Sequence, residues 1–201
     1  LSSSSAASDV YKRQSFDEVV GFLSDHGVRA ELDDLREDGT RLPETVCFRG
    51  ELRQQQSRAF EALAEHDTGV LAATTAFGKT VVASALIARR ASNTLVLVHR
   101  RELLSQWIER LKSFLQIDPK QIGTIGAGKR KPTGVIDVAL IQSLVRKGEV
   151  DDIVADYGHL VVDECHHLSA ASFELVARRS KARYVTGLSA TVARKDGHHP
   201  I

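Results

Sequence analysis

The sequence predicts an α/β domain: a mostly parallel sheet with helices on both faces, preceded by a small α/β segment. Three observations point there. From residue 50 onward, short apolar runs alternate with longer stretches of helical periodicity. The runs are apolar throughout instead of alternating with polar residues, as strands covered on both faces are. The first run leads into Ala73-Thr74-Thr75-Ala76-Phe77-Gly78-Lys79-Thr80, which resembles a phosphate-holding turn between a strand and a helix.

Residues 1–14 have no charged flank followed by an apolar core, resemble translated adapter sequence, and read as a non-native or disordered leader. The chain has no Met and starts at Leu1, so both ends are expected to be cut from a longer protein. Residues 15–48 read as a small α/β preface. Ser15-Phe16-Asp17-Glu18 forms a capping box. Phe16, Val19, Val20 and Leu23 then fall at helical spacing, and Gly27 stops the helix. "VRAEL" and "TVCF" are strand-like pieces.

Residues 49–201 form the main domain. A helix over 52–66 leads to a strand at 69–73, the phosphate loop, and a helix over 79–90. A strand at 94–98 precedes a helix over 102–115 with Leu103, Leu104, Trp107, Ile108, Leu111, Phe114 and Leu115 on one stripe. That stripe assigns Trp107 to the core and not to base stacking. A short apolar stretch at 122–125 leads through a loop bearing Lys129-Arg130-Lys131 to a strand at 135–141. A helix near 149–156, a strand ending at Asp163-Glu164, a helix over 171–179 and a strand at 183–188 complete the alternation.

Composition narrows the function classes. With 42% hydrophobic residues the chain can pack a core. Net charge is +1, so a nucleic acid would have to be held by local patches: Arg100-Arg101, Lys129-Arg130-Lys131 and Arg194-Lys195. For the second patch, a backbone contact and a solvated turn remain equal readings. Two cysteines, Cys47 and Cys165, make no disulfide framework and suit a reducing cytoplasm. No apolar run approaches the roughly 18 residues a membrane helix needs.

The loop departs from Gly, four free positions, Gly-Lys-Ser/Thr in having Ala73 first, and Ala76 stands where many relatives place glycine. An Ala forced into a left-handed conformation costs roughly 1 kcal/mol without removing an N–H donor. Ala73 ends a strand and Gly78 is kept, so the irregularity is tolerable. Backbone N–H groups of Ala76, Phe77 and Gly78 are then expected at the phosphates, with Lys79 reaching the outer ones and the Thr80 hydroxyl on Mg²⁺. Asp163 and Glu164 end a buried strand, where open α/β sheets bind ligands. Asp163 can hold Mg²⁺, and Glu164 can orient or deprotonate an attacking water.

Asp163-Glu164-Cys165-His166 resembles the Asp-Glu-x-His box of superfamily 2 helicases and translocases, and the other segments fall in that family's order. The resemblance covers residues 50–201. It implies the N-terminal RecA-like, ATP-binding domain of a nucleic-acid motor. "LRQQQ" is similar to the element that puts a glutamine, here Gln56, on the adenine edge. "LVLVHRRELLSQW" resembles the segment gripping a nucleic-acid backbone, implicating Arg100 and Arg101. "VALIQSL" makes Gln142 and Ser143 weaker candidates. Ser189-Ala190-Thr191 resembles the element linking nucleotide and nucleic-acid sites, through Ser189 and Thr191, and His166 would lie near the γ-phosphate. The similarity leans toward repair translocases and restriction-enzyme motor subunits, because of "LRxxQ", Asp-Glu-Cys-His and Arg194-Lys195-Asp196-Gly197. Thr74, Val192 and Gln54 depart from it, standing where relatives often carry Pro.

The resemblance implies ATP and Mg²⁺ as ligands, DNA ahead of RNA as partner, and a second RecA-like domain supplying arginines. Without that domain the chain is expected to be nearly inactive. A non-catalytic nucleic-acid-binding module with a degenerate loop is the alternative. A P-loop kinase or GTPase fits less well, because no Asn-Lys-x-Asp is present. Cys165, His166, His167, His198 and His199 lack zinc-site spacing, and Ser189 lacks a hydrolase nucleophile elbow.

Overall fold

The structure, a computed structural model, describes residues 20–29, 33–146, 148–167 and 170–190. The chain divides into two compact units between Leu35 and Arg36. In the first, a short helix spans 20–25 and ends where Gly27 takes φ 72°. The expected capping box at 15–18 and most of "VRAEL" lie outside the described residues.

In the second unit the elements in chain order are β1 (Cys47–Phe48), α1 (Gln54–Ala64), β2 (Thr68–Ala72), α2 (Lys79–Arg90), β3 (Thr94–Val98) and α3 (Arg101–Phe114). There follow β4 (Leu115–Gln116), β5 (Ile122–Gly126), β6 (Lys129–Lys131), β7 (Ile136–Leu140) and α4 (Ile141–Leu144). The last are β8 (Val145–Arg146), β9 (Glu149–Val150), β10 (His159–Val162), α5 (Ala170–Arg179) and β11 (Tyr184–Ser189). Seven strands form one sheet in the order β2-β11-β10-β3-β7-β5-β6. Every pairing is parallel except β5 with β6.

The fully buried β3 divides its apolar side chains between two cores. Val96 and Val98 pack in a cluster with Val82, Leu86, Trp107 and Leu111 from α2 and α3. Leu95 and Leu97 pack on the other face with Leu144, Tyr157 and Val176. Fully burying such a side chain contributes about 1.5–3 kcal/mol, so the two layers, more than propensity, hold the helices in place. The α3 stripe behaves as its spacing predicts, with Leu104, Trp107 and Leu111 buried.

Two expectations need correction. Residues 149–156 are not an α-helix: β9 pairs with β8 as a hairpin, and Asp152–Asp156 form a 3₁₀ turn. Asp151 caps that turn through Ile153 N–H at 3.3 Å, and Gly158 follows too soon for a longer helix. Lys129-Arg130-Lys131 is not a loop but the edge strand β6, closed onto β5 by positive-φ Gly126, Ala127 and Gly128. Basic side chains suit an exposed edge, since they discourage pairing with another chain.

Residues 36–46, which the sequence groups with the preface, cross the N-terminal ends of the strands. Glu37 bridges Ala182, and Arg41 bridges Ser92. Asn93 fastens this strap, its Oδ1 accepting from the N–H groups of Thr40 at 2.9 Å and Gly158 at 3.0 Å. Its Nδ2 donates to the carbonyls of Gly134 and Asp156. A Cβ on Gly39, at φ 68°, would stand 2.2 Å from Asn93 Oδ1, so only glycine fits there.

At the same end Arg90 donates to Nε2 of fully buried His159 at 2.7 Å, which requires that nitrogen to be an unprotonated acceptor. Arg90 also donates to Thr186 Oγ1 and lies over the Tyr184 ring, while Asp67 offsets its charge. Burial first, and then the facing Arg90, hold the His159 pKa well below its ordinary value. The unfolded chain protonates this imidazole below about pH 6.5 and the folded chain does not. Stability owed to neutral His159 is therefore complete above that pH and lost as pH falls. Urea unfolding between about pH 7.5 and about pH 5 should show His159→Gln losing less stability on acidification than the unaltered chain. Equal slopes would contradict this.

Candidate functional site

The loop after β2 runs through a 3₁₀ turn, Thr75–Phe77, into Gly78 at φ 85° and ψ 44°, from which α2 starts. Among the described residues, non-glycine positive φ occurs at Ala91, Ala127 and Glu164, and not at Ala73 or Ala76. The two alanines thus occupy ordinary backbone, and the one left-handed position keeps its glycine. Gln56 braces the loop from below. Its Nε2 donates to the Phe77 carbonyl at 2.7 Å, and its Oε1 accepts from Arg53 N–H at 2.9 Å. Arg53 Nη2 also reaches the Phe77 carbonyl, at 3.2 Å. The buried Gln56 amide is thus engaged at both ends by protein, which makes it a support of the loop whatever else it touches.

Lys79 is buried, and its ammonium donates to the carbonyls of Ala73 at 2.7 Å and Thr74 at 3.2 Å. The lysine therefore lies folded over the loop. Thr80 follows in the first turn of α2, whose leading N–H groups have no intrahelical acceptor. Converging N–H donors, an ammonium and a helix N-terminus make a site for phosphate oxygens.

β11 lies between β2 and β10, and the Ser189 carbonyl accepts from Ala73 N–H at 3.0 Å, tying the loop to the end of β11. At the end of β10, Asp163 is only 7% exposed. Its Oδ2 accepts from Trp107 Nε1 at 2.7 Å, and its Oδ1 from Glu164 N–H at 2.9 Å. Burial pushes the Asp163 pKa up and the neighbouring Glu164 charge adds to this, while the Trp107 and Glu164 bonds and the Lys79 charge pull it down. Lys79 is thus near enough to act on Asp163 electrostatically. Glu164 stands at φ 51°, a conformation costing roughly 1–2 kcal/mol outside glycine. Strain of this kind gathers where a side chain must be aimed. Glu164 Oε2 lies 4.0 Å from His166 Nε2, and His166 Nδ1 is hydrogen-bonded to Ser189 Oγ at 3.2 Å.

The candidate nucleic-acid residues occupy the same edge farther along the sheet. Arg100 and Arg101 follow β3 and are exposed, while Gln142 and Ser143 follow β7. Gln142 Nε2 donates to the His99 carbonyl at 3.1 Å, joining the two segments. Thr191 lies outside the described residues.

The model of the type III restriction enzyme res subunit family matches residues 49–194. The chain belongs to this family. It is 31% identical over 151 residues to the DNA 3'-5' translocase XPB2 of Sulfurisphaera tokodaii, covering 75% of this chain and 33% of that protein. Over 160 residues it is 31% identical to the putative ATP-dependent RNA helicase L396 of Acanthamoeba polyphaga mimivirus, covering 78% and 30% respectively. The chain thus spans about a third of the length of these curated relatives. The UvsW helicase structure from bacteriophage T4 superposes with a TM-score of 0.64 at 18% identity, over 88% of this chain and 70% of that one. That likeness establishes the RecA-like fold.

In this res-subunit family member the spacing of α3 placed Trp107 in the core but gave no sign of its bond to Asp163. The two residues are 56 positions apart, and only the sheet order brings them together. Nor did the sequence assign Arg53 a part in bracing the loop. Ala76→Gly relieves no backbone strain, so urea unfolding should register a loss of about 0.4–1 kcal/mol. Gly78→Ala meets both the left-handed backbone and Gln56 Nε2 at 2.6 Å, and should cost more than about 1 kcal/mol. Stabilisation by Ala76→Gly would contradict the assignment of ordinary φ.

Proposed function

We propose that residues 49–201 are the first RecA-like domain of an ATP-hydrolysing nucleic-acid helicase or translocase. The observation that carries this reading is the convergence of Lys79, Asp163, Glu164, His166 and Ser189 on one end of three adjacent parallel strands. ATP is the substrate. In this reading the loop N–H groups of Ala76, Phe77 and Gly78 hold its phosphates, and Lys79 exchanges its loop carbonyls for outer phosphate oxygens. The Thr80 hydroxyl and Asp163 would hold Mg²⁺, which when bound would neutralise charge on the phosphates. Glu164, aimed by its left-handed backbone, orients a water and takes its proton. His166 lies 4.0 Å from Glu164 and is hydrogen-bonded to Ser189, so a change at the phosphates has a route of close contacts to the end of β11.

Arg100 and Arg101, with Gln142 and Ser143, are proposed to face a nucleic-acid backbone. DNA is preferred because the translocase relative is named for it, and RNA is the competing outcome because the mimivirus relative is named for that. We further propose that residues 36–48 serve as a brace of the RecA-like fold, with the preface proper ending before them. Arginines from a second RecA-like domain are expected to complete hydrolysis. Such an arginine is worth roughly 10³–10⁵ in rate in phosphoryl transfer, so the 201 residues alone should bind Mg-ATP and turn it over slowly.

Calorimetric titration of Mg-ATP tests the reading. The unaltered chain and Glu164→Gln should bind, and Lys79→Ala should lose binding by about 10- to 150-fold, since a phosphate-facing charged donor is worth about 1.5–3 kcal/mol. Equal affinity in Lys79→Ala, or brisk turnover by the chain alone, would overturn it.

A further inference from the structure

The bond from Trp107 to Asp163 crosses between two parts of the site that the motor reading keeps separate. Asp163 belongs to the nucleotide end, while Trp107 stands on α3, whose first residues are the candidate backbone contacts. We propose that Trp107 is a positioning residue that fixes the Asp163 carboxylate and carries the state of the Arg100–Arg101 end of α3 to it. This inference rests on the motor reading above.

Four features support it. The two Asp163 oxygens are each fixed by a donor from a different element, indole at Oδ2 and Glu164 N–H at Oδ1, which leaves the carboxylate plane no free rotation. Trp107 is 2% exposed and packed in the cluster that holds Leu104 and Leu111, so its N–H is aimed by the body of α3 and not by a mobile side chain. The helix is continuous from Arg101 to Phe114, and Trp107 lies six positions beyond Arg101. At 1.5 Å per residue that is about 9 Å of stiff rod. Finally, a hydrogen bond at 2.7 Å weakens sharply once the heavy atoms part by much more than half an ångström. A small displacement of α3 at its arginine end would therefore alter what Asp163 presents.

The plainer explanation is that a buried indole needs some acceptor. It predicts a loss of stability when the N–H is removed, and nothing specific to metal. Trp107→Phe keeps an aromatic ring in the cluster and deletes the donor. Binding of a fluorescent ATP analogue is measured with Mg²⁺ and again in EDTA. Loss of an outer-shell partner costs about 10–100-fold in metal affinity. Trp107→Phe should therefore weaken Mg-dependent binding by about that factor and leave binding in EDTA unchanged. Leu104→Ala, which removes buried bulk from the same helix face, should lower the Tm while keeping the Mg²⁺ preference. A Trp107→Phe loss that is equal with and without Mg²⁺, or no loss, would overturn the positioning role.

The unaltered chain supplies a second readout, because Trp107 is its one tryptophan. A single-stranded thymidine oligonucleotide, with binding confirmed by anisotropy, should shift the Trp107 emission, and Arg100→Ala/Arg101→Ala should remove the shift. Unchanged emission with the oligonucleotide bound would overturn the coupling. If the nucleotide does not bind in a Lys79-dependent way, the motor reading falls and this inference falls with it. If it does bind so and Trp107→Phe is indifferent to Mg²⁺, the inference alone fails.

Discussion

Six of the seven strands of the central sheet run in the same direction, and this alignment decides where chemistry can occur in the chain. Each parallel strand delivers the residue that follows it to one edge. The strands also leave their opposite ends together, where they need closing. The order β2-β11-β10-β3-β7 then spaces the contributions: phosphate loop, Ser189, the two carboxylates, the arginine pair, and Gln142 with Ser143. The opposite ends of the strands form the far edge. It holds structural bonding instead, with Asn93, His159 and Arg90 tying strap, strands and helix together.

Stability and function meet in the treatment of buried charge. Lys79 and Asp163 are both largely withdrawn from water, and such groups are tolerable only when bonded. Lys79 is held by two loop carbonyls and Asp163 by an indole and a backbone N–H. These arrangements leave the charges aimed at the same edge while the surrounding clusters exclude solvent. The strained Glu164 backbone adds a local cost of roughly 1–2 kcal/mol, which the paired β10 and the bonds around Asp163 must overcome.

What the sequence could reveal depended on whether the signal was local. The edge position of Asp163 and Glu164 was legible because they directly follow an apolar strand, and that of Lys79 and Thr80 because they open the helix after the loop that leaves β2; in a parallel sheet that order along the chain fixes the edge. Ala73 and Ala76 raised a question about φ that only backbone coordinates answer, and both take ordinary values. The 3₁₀ turn at Asp152–Asp156 was mistaken for a helix because Val150, Ile153 and Val154 fall at helical spacing, while the Asp151 cap and Gly158 limit its length. The run Lys129-Arg130-Lys131 hid its strand because an edge strand needs no apolar face. The strap at 36–46 and the Trp107–Asp163 bond were out of reach for another reason. Each depends on partners brought near by the sheet order, and neither leaves a period or a spacing in the chain.

The central claim is that Lys79, after β2, and Asp163, after β10, face one Mg-nucleotide from either side of β11. A crystal structure of the chain with Mg²⁺ and a non-hydrolysable ATP analogue tests it most directly. The account predicts Lys79 Nζ moved off the Ala73 and Thr74 carbonyls onto phosphate oxygens, the metal between Thr80 and Asp163, and the Trp107 bond to Asp163 in place. A bound nucleotide elsewhere, with Lys79 still on its loop carbonyls, would contradict it.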